Sequence, residues 1–406
     1  MYLNFAWRYF KAKKSANAIN IIAWVTTAVI AFATCCQILV LSVFNGFEDL
    51  VKSLYSSFYS DLKIVPAKGK TFELSAQQWA LIHQQNYVQA ASGIVQEKAL
   101  VQNGEDQTGV TLKAVDSNYS KVSGLPGKIS SGHFDLGTAD DARLVVGYGL
   151  QNALNILVSD AFAPQELSII LPKKTDTQAD PSSAISQGLA KASGAFAIQQ
   201  EFDNSYIITN INFMRQQLGL PAHVFSAIEV KLKYGQDIEE RKKSLQQVLG
   251  SGYSVQSRYE QNMSLYNAMR LEKWAIYAVL TLILIIAAFN MVSALTMLVL
   301  EKQKDISILQ SMGGSTSLIK KIFLSEGLLL GGIGAAIGIG LAIIICLLQL
   351  KFRLIKLQGG SFLIDYFPVK LMLSDFAMVA GTAFIIALLA SWAPAAKASR
   401  QAISLH

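Results

Sequence analysis

The sequence predicts a membrane protein with four transmembrane α-helices and a large α+β extracytoplasmic domain inserted between the first and the second. Three observations carry that prediction. Of 406 residues, 52% are hydrophobic and only 16% charged, too apolar a balance for an ordinary soluble domain. The excess is concentrated in four uncharged runs, Ile19–Phe44, Trp274–Leu300, Gly327–Leu350 and Phe376–Ala396. Between the first two lies a long segment of short strand and helix patterns. A helix rises about 1.5 Å per residue and the hydrocarbon core is roughly 30 Å thick, so about 20 residues cross it and each run suffices.

Residues 1–18 form a cytoplasmic amphipathic segment in which Arg8, Lys11, Lys13 and Lys14 face no acidic residue. The first span, 19–44, outruns the roughly 7–15 apolar residues of a signal peptide and is expected to stay as an uncleaved anchor. Cys35 and Cys36 lie deep inside it and Cys346 inside the third span, where a thiol behaves as a small apolar side chain. The extracytoplasmic domain, 45–273, contains no cysteine and must fold without disulfides.

That domain opens with Phe47, Leu50, Val51, Leu54, Tyr55 and Phe58, one stripe of a helix continuing out of the membrane. "IVQEKALVQ" and "QTGVTLKAV" flank "NGED", a hairpin signal centred on Asn103–Gly104. "RLVVG", "ELSIILP", "GAFAIQ", "SYIIT" and "FSAIEVKLK" read as strands. "YGLQNALNI" and the amphipathic "DIEERKKSLQQVL" read as helices, and "QNMSLYNAMRLEK" leads helically into the second span. Strands and helices mixed in this way mean an α+β domain. Residues 172–193, "PKKTDTQADPSSAISQGLAKAS", have few apolar anchors and two prolines, and are expected to be a long exposed loop.

The second span, 274–300, is followed by a cytoplasmic segment at 301–323, the third span at 324–350, a short external loop at 351–373, the fourth span at 374–396 and a tail at 397–406. Lys302, Lys304, Lys320, Lys321, Lys397 and Arg400 share a side with the basic N-terminus, which the positive-inside rule makes the cytoplasm. Lys351, Arg353, Lys356 and Lys370 dissent, lying in the external loop. The net charge of +7 thus reflects membrane topology and predicts no nucleic-acid partner. In the third span Gly327/Gly331 and Gly334/Gly338 make a flat face for close helix packing.

Catalytic chemistry finds little support. His83, His133, His223 and His406 are scattered, with no metal-ligand spacing. "GLPGKIS" at 124–130 lacks the spacer and hydroxyl of a phosphate loop. The expectation is a non-catalytic subunit with no catalytic or metal residue. The four uncharged runs that define the spans carry no ionisable side chain, which argues against a proton- or ion-coupled transporter and leaves an energy source outside the chain.

Residues 301–314, "EKQKDISILQSMGG", return to charge between two spans. Glu301, Lys302, Lys304 and Asp305 keep its beginning polar, Ile306, Leu309 and Met312 recur every three residues, and Gly313–Gly314 supply a helix-ending turn. Such a stripe must lie on lipid, pack under the protein's own spans or dock into a partner's groove. Rigid attachment to two spans favours docking.

"SALTMLVLEKQKDISILQSMGGSTSLIKKIFLSEGLLLGGIGAAIGIGLA" closely resembles the coupling segment of the FtsX-like ABC permeases, the MacB-type superfamily. The opening "FAWRYFKAKKSANAINIIAWVTTAVIAFATCCQILVLSVFNGF" resembles their lipoprotein-releasing LolC/LolE branch, as do "DNSYIITNINFMRQQLGL", "SAIEVKLK", "DYFPVKL" and "SWAPAAKASR". Gln310 stands where the family often has Arg, and Gly314 where Ala is usual. The resemblance implies a permease that binds no cofactor itself, pairs with a cytoplasmic ATPase that binds the ATP, and dimerises with a second copy or a paralogue. It would take a triacylated lipoprotein from membrane lipid and pass it to a periplasmic carrier. Leu39, Val40, Val43 and Phe44 of the first span, with Ala278, Leu282 and Ile285 of the second, are the candidate walls of the acyl-chain cavity. Residues 172–193 correspond by position to a hook that receives the carrier. Regulation of cell-wall hydrolases, as by FtsX, and export, as by MacB, are the alternatives. A membrane sensor lacking an ATPase would have no evident use for the docking helix.

Overall fold

The computed structural model describes residues 17–158, 164–173, 185–356 and 366–400, with side chains from residue 21 onward. The basic segment 1–16 and the end of the tail lie outside the described residues. Contacts divide the chain into a helical unit, built from residues up to 50, 267–356 and 366–400, and an α+β unit, Val51–Tyr266.

The helical unit holds four helices long and apolar enough to cross a membrane: Asn17–Phe58, Met263–Glu301, Thr316–Phe352 and Leu373–Ser399, here spans one to four. Span one runs for 42 residues, roughly 63 Å at the helical rise, twice the thickness of the hydrocarbon. Its polar side chains are satisfied at home: the hydroxyls of Thr26, Thr27 and Thr34 donate to the carbonyls of Ile22, Ala23 and Ile30, four residues back. The spans bury Ala23, Ile30 and Ala33 of span one with Leu284, Ala287, Met291 and Leu295 of span two, Leu330 and Ala335 of span three, and Ala383 and Ala387 of span four.

The glycines of span three set how closely its neighbours approach. A Cβ on Gly327 would lie 2.0 Å from Ser391 Oγ, and one on Gly331 2.6 Å from Ala387 Cβ, both on span four. A Cβ on Gly334 would lie 2.9 Å from the Thr27 carbonyl oxygen, and one on Gly338 2.4 Å from that of Ala31, both on span one. The two glycine pairs therefore face different helices, and a Cβ on Gly332 or Gly340 would meet nothing within 4 Å beyond its own stretch of helix among the described residues.

In the α+β unit the strands are β1 (Leu62–Pro66), β2 (Phe72–Glu73), β3 (Val88–Asn103), β4 (Asp106–Val115), β5 (Ile129–Gly132), β6 (Arg143–Gly147), β7 (Glu166–Pro172), β8 (Ile185–Phe196), β9 (Tyr206–Asn210), β10 (Val224–Phe225), β11 (Ala227–Leu232) and β12 (Tyr253–Ser257). Ten join one mixed sheet in the order β12-β1-β11-β3-β4-β9-β6-β8-β5, with β7 bridging β3 and β8, while β2 pairs with β10. The β3–β4 hairpin closes on the Asn103↔Asp106 pair, with Gly104 at φ +61° in its two-residue turn. The turn requires a positive φ, which glycine adopts without strain. The helix Ile238–Leu249 is capped by the Asp237 side chain, which accepts from the Glu240 amide.

One expectation is overturned. Residues 185–193, read above as part of an exposed loop, are the first part of β8, paired along β7 from Pro172↔Ile185 to Glu166↔Lys191. Gly188, Ala190 and Ala192 alternate inward. The inner face admits small residues here because Gln217 and Phe213 press on it: a Cβ on Gly188 would meet both within 3 Å. The remaining residues of the predicted loop, 174–184, lie outside the described residues.

The end of span one's helix enters this unit as a wedge of aromatics. Phe58 stacks on Phe202 with centroids 4.4 Å apart, and Tyr55 meets the same ring edge-on. Beneath Phe58 a fully buried Lys113 Nζ lies 2.7 Å from Glu229 Oε1 and 3.1 Å from Tyr119 Oη, with the Phe58 ring centroid at 4.5 Å. Burial works against the Lys113 charge, but Glu229 and Tyr119 outweigh it and hold the ammonium above its ordinary pKa.

Candidate functional site

The segment between spans two and three forms a short helix, Gln303–Ser311. Span two's helix ends at Glu301, and Lys302 pairs across one turn with Asp305 at 2.9 Å. Met312 caps the short helix, Gly313 turns at φ +89°, and the Gly314 amide donates to the Leu309 carbonyl at 2.8 Å. Ser315 then caps span three by accepting from the Leu318 amide.

The apolar stripe read from the sequence is divided by the structure. Ile306 is 2% exposed and packs under the protein's own spans with Leu298, Val299, Ile319 and Phe323. Leu309 is half-buried, and Met312 is 80% exposed. A three-residue step falls short of the 3.6-residue turn by about 60°, so Ile306 and Met312 end up roughly 120° apart. The outward apolar pair is Ile308 with Met312, one turn apart on the helix surface. Sequence reasoning passed over Ile308, and counting four residues back from Met312 would have found it.

The seven cavity candidates also separate. Leu39 joins a cluster with Cys35, Ile38, Leu41, Ala342 and Val379, packed beside Tyr277. Val43 and Phe44 are half-buried, whereas Val40, Ala278, Leu282 and Ile285 are exposed. Within one chain the candidates therefore do not all line one enclosed wall. Leu39 fills the bundle, and the span-two trio lies on a face turned away from it.

Where spans one and two meet, the ties change character along their length. Gln37 Nε2 donates to Thr281 Oγ1 at 3.2 Å, with both partners on membrane helices. Eight residues further along each helix, Lys273 Nζ donates to Asn45 Oδ1 at 2.8 Å and lies 3.2 Å from Asp375 Oδ1. Asn45 Nδ2 in turn donates to Asp375 Oδ2 at 2.5 Å. The expectation that the spans hold no ionisable residue fails at their ends. Asp375 lies in the first turn of span four, 5% exposed, and Glu326 is buried within span three. Both adjoin the uncharged runs by a single residue, as does Lys273, which is why a reading by uncharged run stopped just short of them.

The segment before span four is fastened to span one. The Lys370 amide donates to the Ser42 carbonyl at 2.9 Å, its Nζ pairs with Asp49, and Phe47 meets Phe367 edge-on. Gly46 is required here: a Cβ would lie 2.3 Å from the Pro368 carbonyl oxygen. At the end of span three the Arg353 guanidinium sits 4.3 Å from the Tyr366 ring centroid. Lys351 Nζ lies 5.6 Å from the Phe352 ring centroid, so three of the four dissenting basic residues have partners within the chain.

The family model described as MacB-like periplasmic core domain matches residues 23–248, and that described as FtsX-like permease C-terminal matches residues 277–403. The chain is 27% identical to the lipoprotein-releasing system transmembrane protein LolC of Neisseria meningitidis over 97% of this chain and 95% of that one. It is 27% identical to LolE of Haemophilus influenzae over 99% of this chain and 98% of that one. Against LolC of Xylella fastidiosa the identity is 24% over 97% and 95%.

Proposed function

Because this chain belongs to the MacB-like periplasmic core domain family and carries an FtsX-like permease C-terminal region, we propose that it is the permease subunit of an ABC transporter that releases lipoproteins from the inner membrane. ATP is hydrolysed by a separate cytoplasmic subunit, and a second permease, identical or paralogous, completes the membrane assembly. The observation that carries this reading is the alignment with lipoprotein-releasing transmembrane proteins along nearly the whole chain. Export or cell-wall regulation would draw on the same two domains.

The physical task fits the parts. Each acyl methylene buried in lipid is worth about 0.8 kcal/mol, so three chains hold a lipoprotein far too firmly to leave unaided. Energy enters at the docking helix, where Ile308 and Met312 offer the ATPase an apolar contact while Ile306 ties the helix to spans two and three. Termini on the cytoplasmic side place that helix within the ATPase's reach. Val40, Leu282 and Ile285, exposed on one chain, meet acyl chains or the second permease. The segment 172–193, which by family resemblance receives the carrier, includes the first part of β8, where exposed Ile185 and Leu189 offer the carrier apolar side chains.

Proteoliposomes containing the permease assembly, its ATPase and a triacylated lipoprotein test the reading. Release is expected only with both ATP and a soluble carrier. Deleting residues 174–184 is expected to reduce hand-over more than ATP hydrolysis. Failure of release with an active ATPase and a proven carrier would overturn the proposal in favour of a cell-wall regulator.

A further inference from the structure

We propose that Asn45, Lys273 and Asp375 form a polar clasp that shuts the seam between spans one and two at its periplasmic end, and that span two leaves the clasp to admit the lipid-anchored substrate. The inference rests on the lipoprotein-releasing function above and adds the place where the bundle opens.

Two observations carry it. The first is the gradient along the seam. Toward the cytoplasmic end the two spans share an apolar core with spans three and four, through Ile30, Ala33, Leu284 and Met291. Toward the periplasmic end span two buries no side chain before Leu284; Tyr277 packs beside the Ile38–Leu41 cluster, and the hydrogen-bonded ties are Gln37 to Thr281 and Lys273 to Asn45 and Asp375. In lipid, apolar helix faces gain little from each other that acyl chains would not also supply, so polar ties decide whether such a seam stays shut. The closed seam is also imperfect: Gln37 is fully buried, yet its Oε1 has no hydrogen-bond partner among the described residues. A buried acceptor left unsatisfied favours parting of the helices around it.

The second observation is that the clasp is lopsided. Asn45 and Asp375 are bound to each other, and their surroundings are bound together by Lys370 to Ser42, Lys370 to Asp49 and Gly46 against Pro368. Spans one and four are thereby one body at this end. Lys273 reaches in from span two, partly exposed and on a flexible stem. Withdrawing it leaves the Asn45–Asp375 hydrogen bond intact, and near the headgroups water or polar groups of the entering substrate replace the ammonium. Span two is the door and Lys273 its bolt.

The test uses the complete permease–ATPase assembly in nanodiscs, with Cys35, Cys36 and Cys346 replaced by Ala and spin labels at Val40 and Leu282. Lys273→Met is expected to shift the ATP-free population toward longer label separations by at least about tenfold, because it loses the charge-assisted contacts to both Asn45 and Asp375 and each is worth about a factor of ten or more. Lys273→Arg is expected to restore the closed separation. A photo-crosslinker at Val43 is expected to capture more lipoprotein in Lys273→Met than in the parent. Unchanged separations in Lys273→Met, with the parent assembly folded, would overturn the clasp. So would an equal shift from Lys273→Met and Lys273→Arg, the mark of a merely structural disturbance. Should Lys273→Met fail to assemble, Lys273→Gln, which keeps a donor but removes the charge, is scored by the same separations. The distance measurement needs no substrate, so a parent that captures no lipoprotein would count against the proposed function and leave the clasp to be judged by its own readout.

Discussion

Replacing Ile308 and Met312 together by Asp is expected to release the ATPase while the permease stays folded, and replacing Ile306 by Ala is expected to do the reverse. Ile308 and Met312 are exposed, so an Asp at either position is solvated and costs the isolated permease little. On docking, each apolar side chain fully buried contributes about 1.5–3 kcal/mol, and an Asp driven into the same groove adds a desolvation penalty. Losing roughly 4 kcal/mol weakens binding by about a thousandfold, enough to remove the ATPase from an affinity purification. Ile306 is already buried in the bundle, where trimming to Ala costs about 2–5 kcal/mol of packing and loosens the helix from spans two and three. The assay is paired: the ATPase band after purification, and the unfolding temperature of the permease in detergent. Retention of the ATPase by the double Asp variant would refute the assignment of the outward face. An unfolding temperature unchanged in Ile306→Ala would refute the burial argument.

Gly338→Leu is expected to disrupt assembly of the helical unit, because even a Cβ there falls 2.4 Å from the Ala31 carbonyl oxygen, whereas Gly340→Leu, with nothing within 4 Å, is expected to be tolerated; limited proteolysis distinguishes them. Lys113→Met leaves Glu229 buried without its cation and is expected to cost about 3–5 kcal/mol, while Lys113→Met with Glu229→Leu recovers most of it, as denaturant unfolding would show. A photo-crosslinker at Leu282 is expected to label lipid or substrate and one at Leu41, which is fully buried, is not; equal labelling would remove Leu282 from the lipid-facing surface.

Much of the architecture was legible because it rests on local signals. An uncharged run long enough to cross a bilayer has few other fates, and the "NGED" turn between alternating strands fixes its own hairpin. What escaped the sequence depends on neighbours. The first half of β8 hides its period in Gly188, Ala190 and Ala192, which are small because Phe213 and Gln217 occupy the space above them. The docking stripe was placed by a three-residue period that drifts around the helix, so Ile306 was assigned outward although Ile319 and Phe323 cover it. The Asn45–Lys273–Asp375 cluster joins residues from three spans, and nothing in any one span announces the other two. Its trace in the sequence is only that each residue sits just outside an apolar run.

The fastening of Lys370 to Asp49 and of Arg353 to Tyr366 bears on how the chain enters the membrane. During synthesis the loop between spans three and four emerges with four basic residues, and the electrostatic preference at insertion would retain such a loop in the cytoplasm. In the orientation proposed above, Asp49 has by then been delivered to the other side at the end of span one. Lys370 gains its partner Asp49 only once the loop joins that helix, so the folded first span acts as a receiving dock for the last hairpin. Tertiary assembly would then help to set the proposed orientation of the C-terminal half, and a truncated chain lacking span one would be expected to insert its last two helices in mixed orientations.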